Sequence, residues 1–237
     1  MSRRERRRGP CAGLASLNAV RVGAGCLLAL LLAAAGAAGA ADAGRPHEHR
    51  GKLRPFSSNP PALQLSAGER KNLAAGRAVL RQSEGASGGR GMAVFQVNAP
   101  PEVVWRTIGD FASYPRFIPE VKRCEVYRRA GRRINVAFSV KSLGIGLDYF
   151  IRHDFDDRTR TGTWTLDYDR QSDLDDSVGF WRVSTIAGEP QKALVEYSID
   201  VALKGWVPRF FRNLLVSRGL KQATNWVKVQ SEKRHAQ

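Results

Sequence analysis

His153 is the one histidine of this 237-residue chain that falls inside the region where strands are predicted. Its neighbour Asp154 suggests a general base held by a carboxylate. Consecutive residues of a strand, however, point to opposite faces of a sheet. The pattern therefore favours a surface histidine or a hydrogen-bonded core histidine, and a catalytic base is the alternative.

Aspartates are concentrated between residues 154 and 176, and hard cations such as Ca²⁺ bind clustered carboxylates. Their spacing does not match the loop of an EF-hand, and arginine, threonine and glycine lie among them. We therefore predict no metal ligand, and we expect the groups at 156–157 and 173–176 to be solvated turn residues. The aspartates of the whole cluster are Asp154, Asp156, Asp157, Asp167, Asp169, Asp173, Asp175 and Asp176.

The other residues with reactive or metal-binding side chains are two histidines and a cysteine. His47 and His49 lie in a stretch rich in proline, glycine and charge, where a pair of histidines lacks the further ligands of a tight metal site, so we expect both to be solvated. Cys124 is the one cysteine beyond residue 26, which leaves it without a disulfide partner if the N-terminal segment is removed. Nothing local activates its thiol, and a small buried strand residue is the interpretation that we favour over a nucleophile.

Familiar catalytic motifs are missing from the sequence. It contains no Gly-x-Ser-x-Gly elbow, no phosphate-binding glycine loop and no His-Glu-x-x-His helix. We accordingly predict no catalytic residue, no metal and no cofactor.

Apolar and polar residues alternate with a period of two along most of the chain, which predicts an antiparallel meander of half-buried strands. A capping box at Ser66 and Glu69 predicts a short helix running to about Gly76. A helical period from about Pro208 to Glu232 predicts a long C-terminal helix with one apolar side. The predicted strands cover residues 78–82, 95–97, 121–127, 134–141, 148–154, 164–168, 178–184 and 195–201.

Residues 97–119 carry the most specific pattern: a strand, then Ala-Pro-Pro-Glu-Val-Val-Trp, then Asp-Phe-x-x-Tyr-Pro-x-Phe-Ile-Pro. Pro100 and Pro101 end the strand and suit the first turn of a helix. This order resembles the opening of the START-like helix-grip (SRPBCC) superfamily, in particular its polyketide cyclase/dehydrase and coenzyme Q-binding protein branch. The resemblance covers about residues 90–232.

The resemblance implies an α+β helix-grip fold, in which a curved antiparallel sheet wraps around the long C-terminal helix and leaves an apolar cavity between them. Members range from lipid and quinone carriers to enzymes, so the function is implied only as a broad class. The inner faces of the strands and the helix supply the expected cavity wall. The candidate ligand-binding residues are Phe117, Phe138, Val140, Trp164, Leu166, Tyr197, Ile199, Phe211 and Leu215.

Two surface features suggest contact with a membrane. Residues 142–147 place Leu143, Ile145 and Leu147 in a connection where polar residues are usual, which fits either a lid or membrane loop or a continued strand packed inward. A basic hairpin could bind anionic head groups, its alternative being a solvated tip. Its residues are Lys122, Arg123, Arg128, Arg129, Arg132 and Arg133.

The N-terminus has the pattern of a secretory signal, with arginines before an apolar run and small residues after it. Cleavage is expected after Ala40 or Ala43, and an uncleaved anchor is the alternative. We predict a signal at 1–43, a flexible linker at 44–62 and one domain at 63–237. From residue 44 onward, 32 lysines and arginines face 20 aspartates and glutamates, so the basic charge is not confined to the signal. We therefore expect an exported, periplasmic protein that contacts an anionic membrane surface and no nucleic acid.

The sequence thus predicts an exported, non-enzymatic protein that binds a hydrophobic small molecule, either a lipid or an isoprenoid quinone. A cyclase, dehydratase or hydrolase using the same cavity is one alternative. It requires titratable groups such as Glu196 or Asp110 to be buried in the cavity with a basic partner. A partner-binding module without a ligand is the other.

Overall fold

The computed structural model describes residues 40–84, 88–142, 144–205 and 209–237, without the side chains of residues 84, 142 and 209–219. Eight antiparallel strands form one sheet in the order β1-β2-β8-β7-β6-β5-β4-β3. The α+β prediction is confirmed, and the curved open sheet agrees with the fold that the resemblance implies. The strands are β1 (Val79–Glu84), β2 (Gly88–Val97), β3 (Val121–Ala130), β4 (Arg133–Ser142), β5 (Ile145–Asp156), β6 (Thr161–Leu166), β7 (Leu174–Ile186) and β8 (Glu189–Leu203).

The helices lie before and after the strands and between β2 and β3. Helix α1 (Ala67–Ala74) begins with the expected capping box of Ser66 and Glu69. Helix α2 (Pro101–Gly109) begins at the second proline of the pair, and a short helix α3 (Tyr114–Phe117) forms the bend. Helix α4 (Arg209–His235) ends three residues beyond its expected end at Glu232. No helix among the described residues is long and apolar enough to cross a membrane.

The main core lies between the inner face of the sheet and α4. Leu220 of α4 packs directly over Gly91 of β2, where a Cβ atom would come within 2.8 Å of the leucine side chain. A larger residue at this point would require the Leu220 side chain to move. Ala223, Trp226 and Val227 continue the same buried side of α4.

The segment that precedes α1 is packed against the domain, and the prediction of a flexible linker at 44–62 is wrong. His47 is buried: its Nε2 lies 2.9 Å from the carbonyl oxygen of Asp175, and its Nδ1 accepts a hydrogen bond from the Ser172 N–H. The Nε2 atom of His49 lies 3.2 Å from Oδ1 of Asp175. Both histidines thus dock this segment on the start of β7, which sequence reasoning missed because their partners lie more than 120 residues away.

Three of the clustered aspartates are also buried, and for Asp175 and Asp176 this corrects the prediction of solvated turn residues. Asp176 is fully buried and accepts hydrogen bonds from the N–H groups of Lys52, Leu53 and Ser177 and from the hydroxyl of Tyr168. Asp167 and Asp175 are nearly as buried. Among the described residues, no group of three or more potential ligands is arranged to hold a metal ion.

The docked segment gives the domain a dependence on pH. Burial lowers the pKa of His47, whose neighbours include Lys204, His49 and Glu48. Protonation would place a second N–H donor against the Ser172 N–H. The neutral ring therefore contributes stability that is complete above the ordinary pKa of 6.5 and is lost as the pH falls through the lower pKa of the folded protein.

We expect the melting temperature of the wild type to fall more between pH 7.5 and pH 5.0 than that of a His47→Gln variant, as measured by circular dichroism. A His235→Gln variant, altered in the exposed tail, serves as the control and should follow the wild type. The buried His153 is present in all three proteins, so it contributes equally to the fall in melting temperature of each. Equal losses in the wild type and His47→Gln would contradict the assignment.

Candidate functional site

A cavity of about 320 Å³ lies between the inner face of the sheet and α4. Its volume is at the lower end of the range for small-molecule sites, about 300–1,000 Å³. The described lining is mostly aromatic and aliphatic and contains no lysine or arginine. Glu120 is the one acidic residue in it.

Seven rings around one end of the cavity form a closed circuit, which we call the aromatic belt. Each ring comes from a different element of α3, β4, β5, β6, β7, β8 and α4. Centroid distances between successive rings range from 4.1 to 6.5 Å, which is close to the usual spacing of interacting aromatic pairs. The belt runs through Phe138, His153, Trp164, Tyr197, Trp181, Trp226 and Tyr114, and back to Phe138.

The opposite end of the cavity is mostly aliphatic, with Glu120 and Ser177 as polar residues. β4 and β8 run in the same direction, and the side chains that follow the belt residues along these two strands are branched hydrocarbons. β5 adds Leu147 opposite Val140, and β7 adds Leu174 opposite Leu203. We call this half, with Val140, Leu147, Leu174, Ile199, Val201 and Leu203, the aliphatic end.

Two fully buried polar atoms of the lining residues lack hydrogen-bond partners among the described residues. They are Nδ1 of His153 and Oε2 of Glu120, and both atoms are buried. Burial lowers the pKa of His153 to about 3, and a contact with the Ile134 backbone offsets only part of that shift. The imidazole is therefore neutral at physiological pH.

The structure brings five of the predicted ligand-binding residues to the cavity wall: Phe138, Val140, Trp164, Tyr197 and Ile199. Two others do not line it. Leu166 is fully buried in the core, and the ring of Phe117 stacks on Trp226 with the guanidinium of Arg234 above it. The side chains of Phe211 and Leu215 lie outside the described residues.

Sequence reasoning missed Trp181 and Trp226, which complete the belt. Trp181 occupies an inward position of β7 between Gly179 and Val183, so the alternation of that strand was a usable signal. Trp226 lies three residues after Ala223 on the buried side of α4, where helical spacing was the signal.

Ser142 and residues 145–147 belong to strands. β4 and β5 continue through this stretch and pair as far as Ser142 and Ile145, with Gly144 at a positive φ of 82° in the turn. Leu147 lines the cavity and Ile145 is exposed at the hairpin tip, while Leu143 lies outside the described residues. The continued strand packed inward therefore describes Leu147, whereas Ile145 is exposed.

The basic residues expected to form one hairpin patch are divided between two ends of the sheet. Lys122 and Arg123 lie near the aliphatic end, since Val121 pairs with Val140. The group at 128–133 surrounds the β3–β4 turn at the other end of β4, and Arg132 there pairs with Asp154 and Asp156. At about 3.3 Å per residue, the length of β4 separates the two groups.

Glu196 and Asp110, the two acidic residues named for the enzyme alternative, lie outside the cavity. Glu196 is buried and paired with Arg182 at 2.6 Å, but on the outer face of the sheet, where it accepts a hydrogen bond from the Leu63 N–H. Asp110 pairs with Arg234 near the end of α4 and does not line the cavity.

Cys124 is buried as well, and burial raises the pKa of its thiol to about 12. A thiolate does not form at neutral pH under those conditions. This agrees with a structural role.

Comparison with known proteins places this site in context. The model of the family described as polyketide cyclase / dehydrase and lipid transport matches residues 97–226. No curated protein matches the sequence.

Among solved structures, the Zhui aromatase/cyclase of Streptomyces sp. R1128 is 18% identical over 66% of this chain and 96% of its own, with a TM-score of 0.54. A START superfamily protein of Mycobacterium smegmatis is 17% identical, covering 66% and 97%, with a TM-score of 0.51. A STAR-related lipid transfer protein of Xanthomonas axonopodis is 12% identical, covering 65% and 92%, with a TM-score of 0.53. At these identities the likeness establishes the fold.

Proposed function

Because the chain belongs to the polyketide cyclase / dehydrase and lipid transport family, we propose that it is a carrier that holds one hydrophobic small molecule, a lipid or an isoprenoid quinone, between its sheet and α4. The observation that carries this proposal is the cavity itself, with its aromatic belt and aliphatic end. Burying apolar ligand surface there contributes about 25 cal/mol per Å².

Binding is favoured over catalysis by the chemistry of the lining. A general acid or base needs a pKa near the working pH, and the pKa of His153 is far below it. The carboxylates of Glu196 and Asp110 have basic partners but do not reach the cavity. A module that only binds a protein partner does not require an apolar cavity of this size.

The test is to extract the purified full-length protein with organic solvent and to identify what is released by mass spectrometry. We expect a hydrophobic molecule in an amount approaching one per chain. Protein that has been unfolded, stripped and refolded should take up an added lipid to the same stoichiometry. No released molecule and no uptake would refute the proposal.

For delivery to a membrane, we propose that the aliphatic end faces the anionic surface. Ile145 is exposed at the β4–β5 tip beside this end, and Lys122 and Lys141 lie near it.

Vesicles containing phosphatidylglycerol should then retain the protein more strongly than vesicles of phosphatidylcholine alone. An Ile145→Asp variant should lose this retention and an Arg129→Asp variant, altered at the far turn, should keep it; the reverse order would refute the orientation.

For export, we propose that the signal is removed before Ala41. The N–H of Ala41 donates to Oδ1 of Asp173 at 2.9 Å, and Asp42 pairs with Gln171. Cleavage before Gly44 would remove these contacts. The intact mass of the exported protein should correspond to a chain starting at Ala41, and a start at Gly44 or an uncleaved chain would contradict this.

A further inference from the structure

We propose that the protein has a second binding site, for a soluble phosphate-bearing anion, in a groove between α2, the β3–β4 turn and the β5–β6 turn. The groove has a volume of about 670 Å³ and is lined by residues within 102–109, 129–134 and 155–160. We call it the arginine groove. No described residue lines both this groove and the cavity between the sheet and α4, so the two sites are separate.

Five arginines and three carboxylates line the groove, and each of these carboxylates already has a partner. Glu102 pairs with Arg160 at 2.9 Å. Asp156 pairs with Arg132 at 3.1 Å. The third carboxylate, that of Asp157, accepts a hydrogen bond from the indole N–H of α2 at 2.8 Å. The lining therefore has no free carboxylate to neutralise its remaining arginines.

Arg106, Arg129 and Arg158 are the remaining arginines. All three residues are exposed, and none of them forms an ion pair within the part of the chain that the structure describes. One lies on α2, one on β3 and one in the β5–β6 turn, so each borders the groove from a different element. Three guanidinium groups without a counter-charge thus surround one groove, and a bound anion would supply that charge.

The pairing of the strands explains why Arg129 faces the groove. Arg129 pairs with Ile134, and Ile134 pairs with His153 of the inner face. Residues that are directly opposite on antiparallel strands share a face of the sheet. Arg129 therefore lies on the inner side, where α2 packs. Successive residues alternate between the faces, so Arg128 and Arg133 lie on the outer side.

Arg160 holds the β5–β6 turn against α2. It is the one non-glycine residue with a positive φ among the described residues, at 48°, a conformation that glycine adopts more easily. Its guanidinium contacts both Glu102 of α2 and the carbonyl oxygen of Val183. The hydrogen bond from Trp105 to Asp157 is a second connection between the turn and α2. A ligand therefore enters a groove whose walls are already held together, which lowers the cost of ordering them.

Phosphate suits this arrangement better than a carboxylate does. The two oxygens of a carboxylate lie in one plane and match the fork of a single arginine. A phosphate group offers three acceptor oxygens that point in different directions. Guanidinium groups from three elements can therefore all donate to one phosphate or diphosphate group.

The position of the groove favours a soluble molecule over the head group of a membrane lipid. The groove includes the β3–β4 turn, whereas Ile145 lies at the β4–β5 tip, at the opposite end of β4. This choice of source rests on the proposed orientation, in which the β4–β5 tip faces the membrane.

The experiment is isothermal titration calorimetry of the purified full-length protein with sodium pyrophosphate. A salt concentration of about 0.15 M screens exposed charges that are more than about 8 Å apart. We expect one pyrophosphate per chain, weaker binding of citrate, and no displacement of pyrophosphate by vesicles of phosphatidylglycerol. No binding of pyrophosphate, tighter binding of citrate or displacement by the vesicles would overturn the proposal.

A double variant, Arg106→Gln with Arg158→Gln, should weaken the binding of pyrophosphate by about tenfold or more, because charge-assisted hydrogen bonds are lost. The matched control is Arg128→Gln with Arg133→Gln. It removes the same charge from exposed residues that do not line the groove, and its affinity should equal that of the wild type. Equal losses in the two double variants would show that pyrophosphate responds only to net charge, which would overturn the site.

Nuclear magnetic resonance of the arginine Nε–H groups locates the anion on the wild type without any substitution. The signals of Arg106, Arg129 and Arg158 should shift when pyrophosphate is added. Those of Arg128 and Arg133 should stay in place. Shifts confined to arginines outside the groove would overturn the proposal, and the carrier function would still stand because the two sites share no lining residue.

Discussion

A Gly179→Ala variant is expected to lose about 3 kcal/mol of its free energy of unfolding, because one methyl group has no room at this position. A Cβ atom there would come within 2.1 Å of the Trp164 indole and 2.4 Å of the Ser198 carbonyl oxygen. The second contact is with backbone, which a side-chain rotation cannot relieve. The indole would have to move, and with it a member of the aromatic belt.

Gly146 offers a matched control, since it is also a strand glycine and a Cβ atom there would meet no atom within 4 Å. Gly146→Ala should change the free energy of unfolding by less than about 0.5 kcal/mol. Urea denaturation followed by circular dichroism measures both variants. Similar stabilities of the two would show that the packing of Trp164 over Gly179 is not as described.

A Val201→Trp variant is expected to weaken the binding of a hydrophobic ligand at least tenfold while the protein stays folded. Val201 lines the aliphatic end and is only partly buried, so an indole at this position can enter the cavity without displacing the core. The indole then fills space that the ligand would occupy. The apolar ligand surface that is buried on binding, which drives binding, is thereby reduced. Titration with the fluorescent fatty acid cis-parinaric acid measures the effect.

The control for this variant is Val126→Trp, which adds the same side chain at an exposed position of β3. Its affinity for cis-parinaric acid should equal that of the wild type. If Val201→Trp also bound the probe as the wild type does, the ligand would have to lie outside the cavity.

The fold could be predicted because its signals are local. Alternation identified the inner faces of the strands, and the proline pair at 100–101 marked the start of α2. The same alternation placed Trp164 and Leu166 on one face but could not separate them. Trp164 borders the cavity and Leu166 fills the core, and that difference depends on how the sheet curves around α4.

The site was less predictable because its chemistry arises from contacts between residues that are far apart in the sequence. For His153 the sequence favours either a surface histidine or a hydrogen-bonded core histidine, whereas its unpaired nitrogen and low pKa result from burial among rings that other elements contribute. Phe117 follows Tyr114 by three residues, yet only Tyr114 faces the cavity. Nothing near His47 in the sequence indicates Ser172 or Asp175 as its partners, so the sequence predicts a solvated side chain.

The most direct test of the central claim is to locate a bound hydrophobic molecule by photo-crosslinking. The full-length protein is irradiated with a diazirine-labelled stearate, digested and analysed by mass spectrometry. We predict crosslinks on cavity residues of β8 and α4, such as Ile199 and Leu220, and their loss in Val201→Trp. Crosslinks confined to exposed residues such as Val126 or Leu80, or crosslinks unaffected by Val201→Trp, would contradict the account.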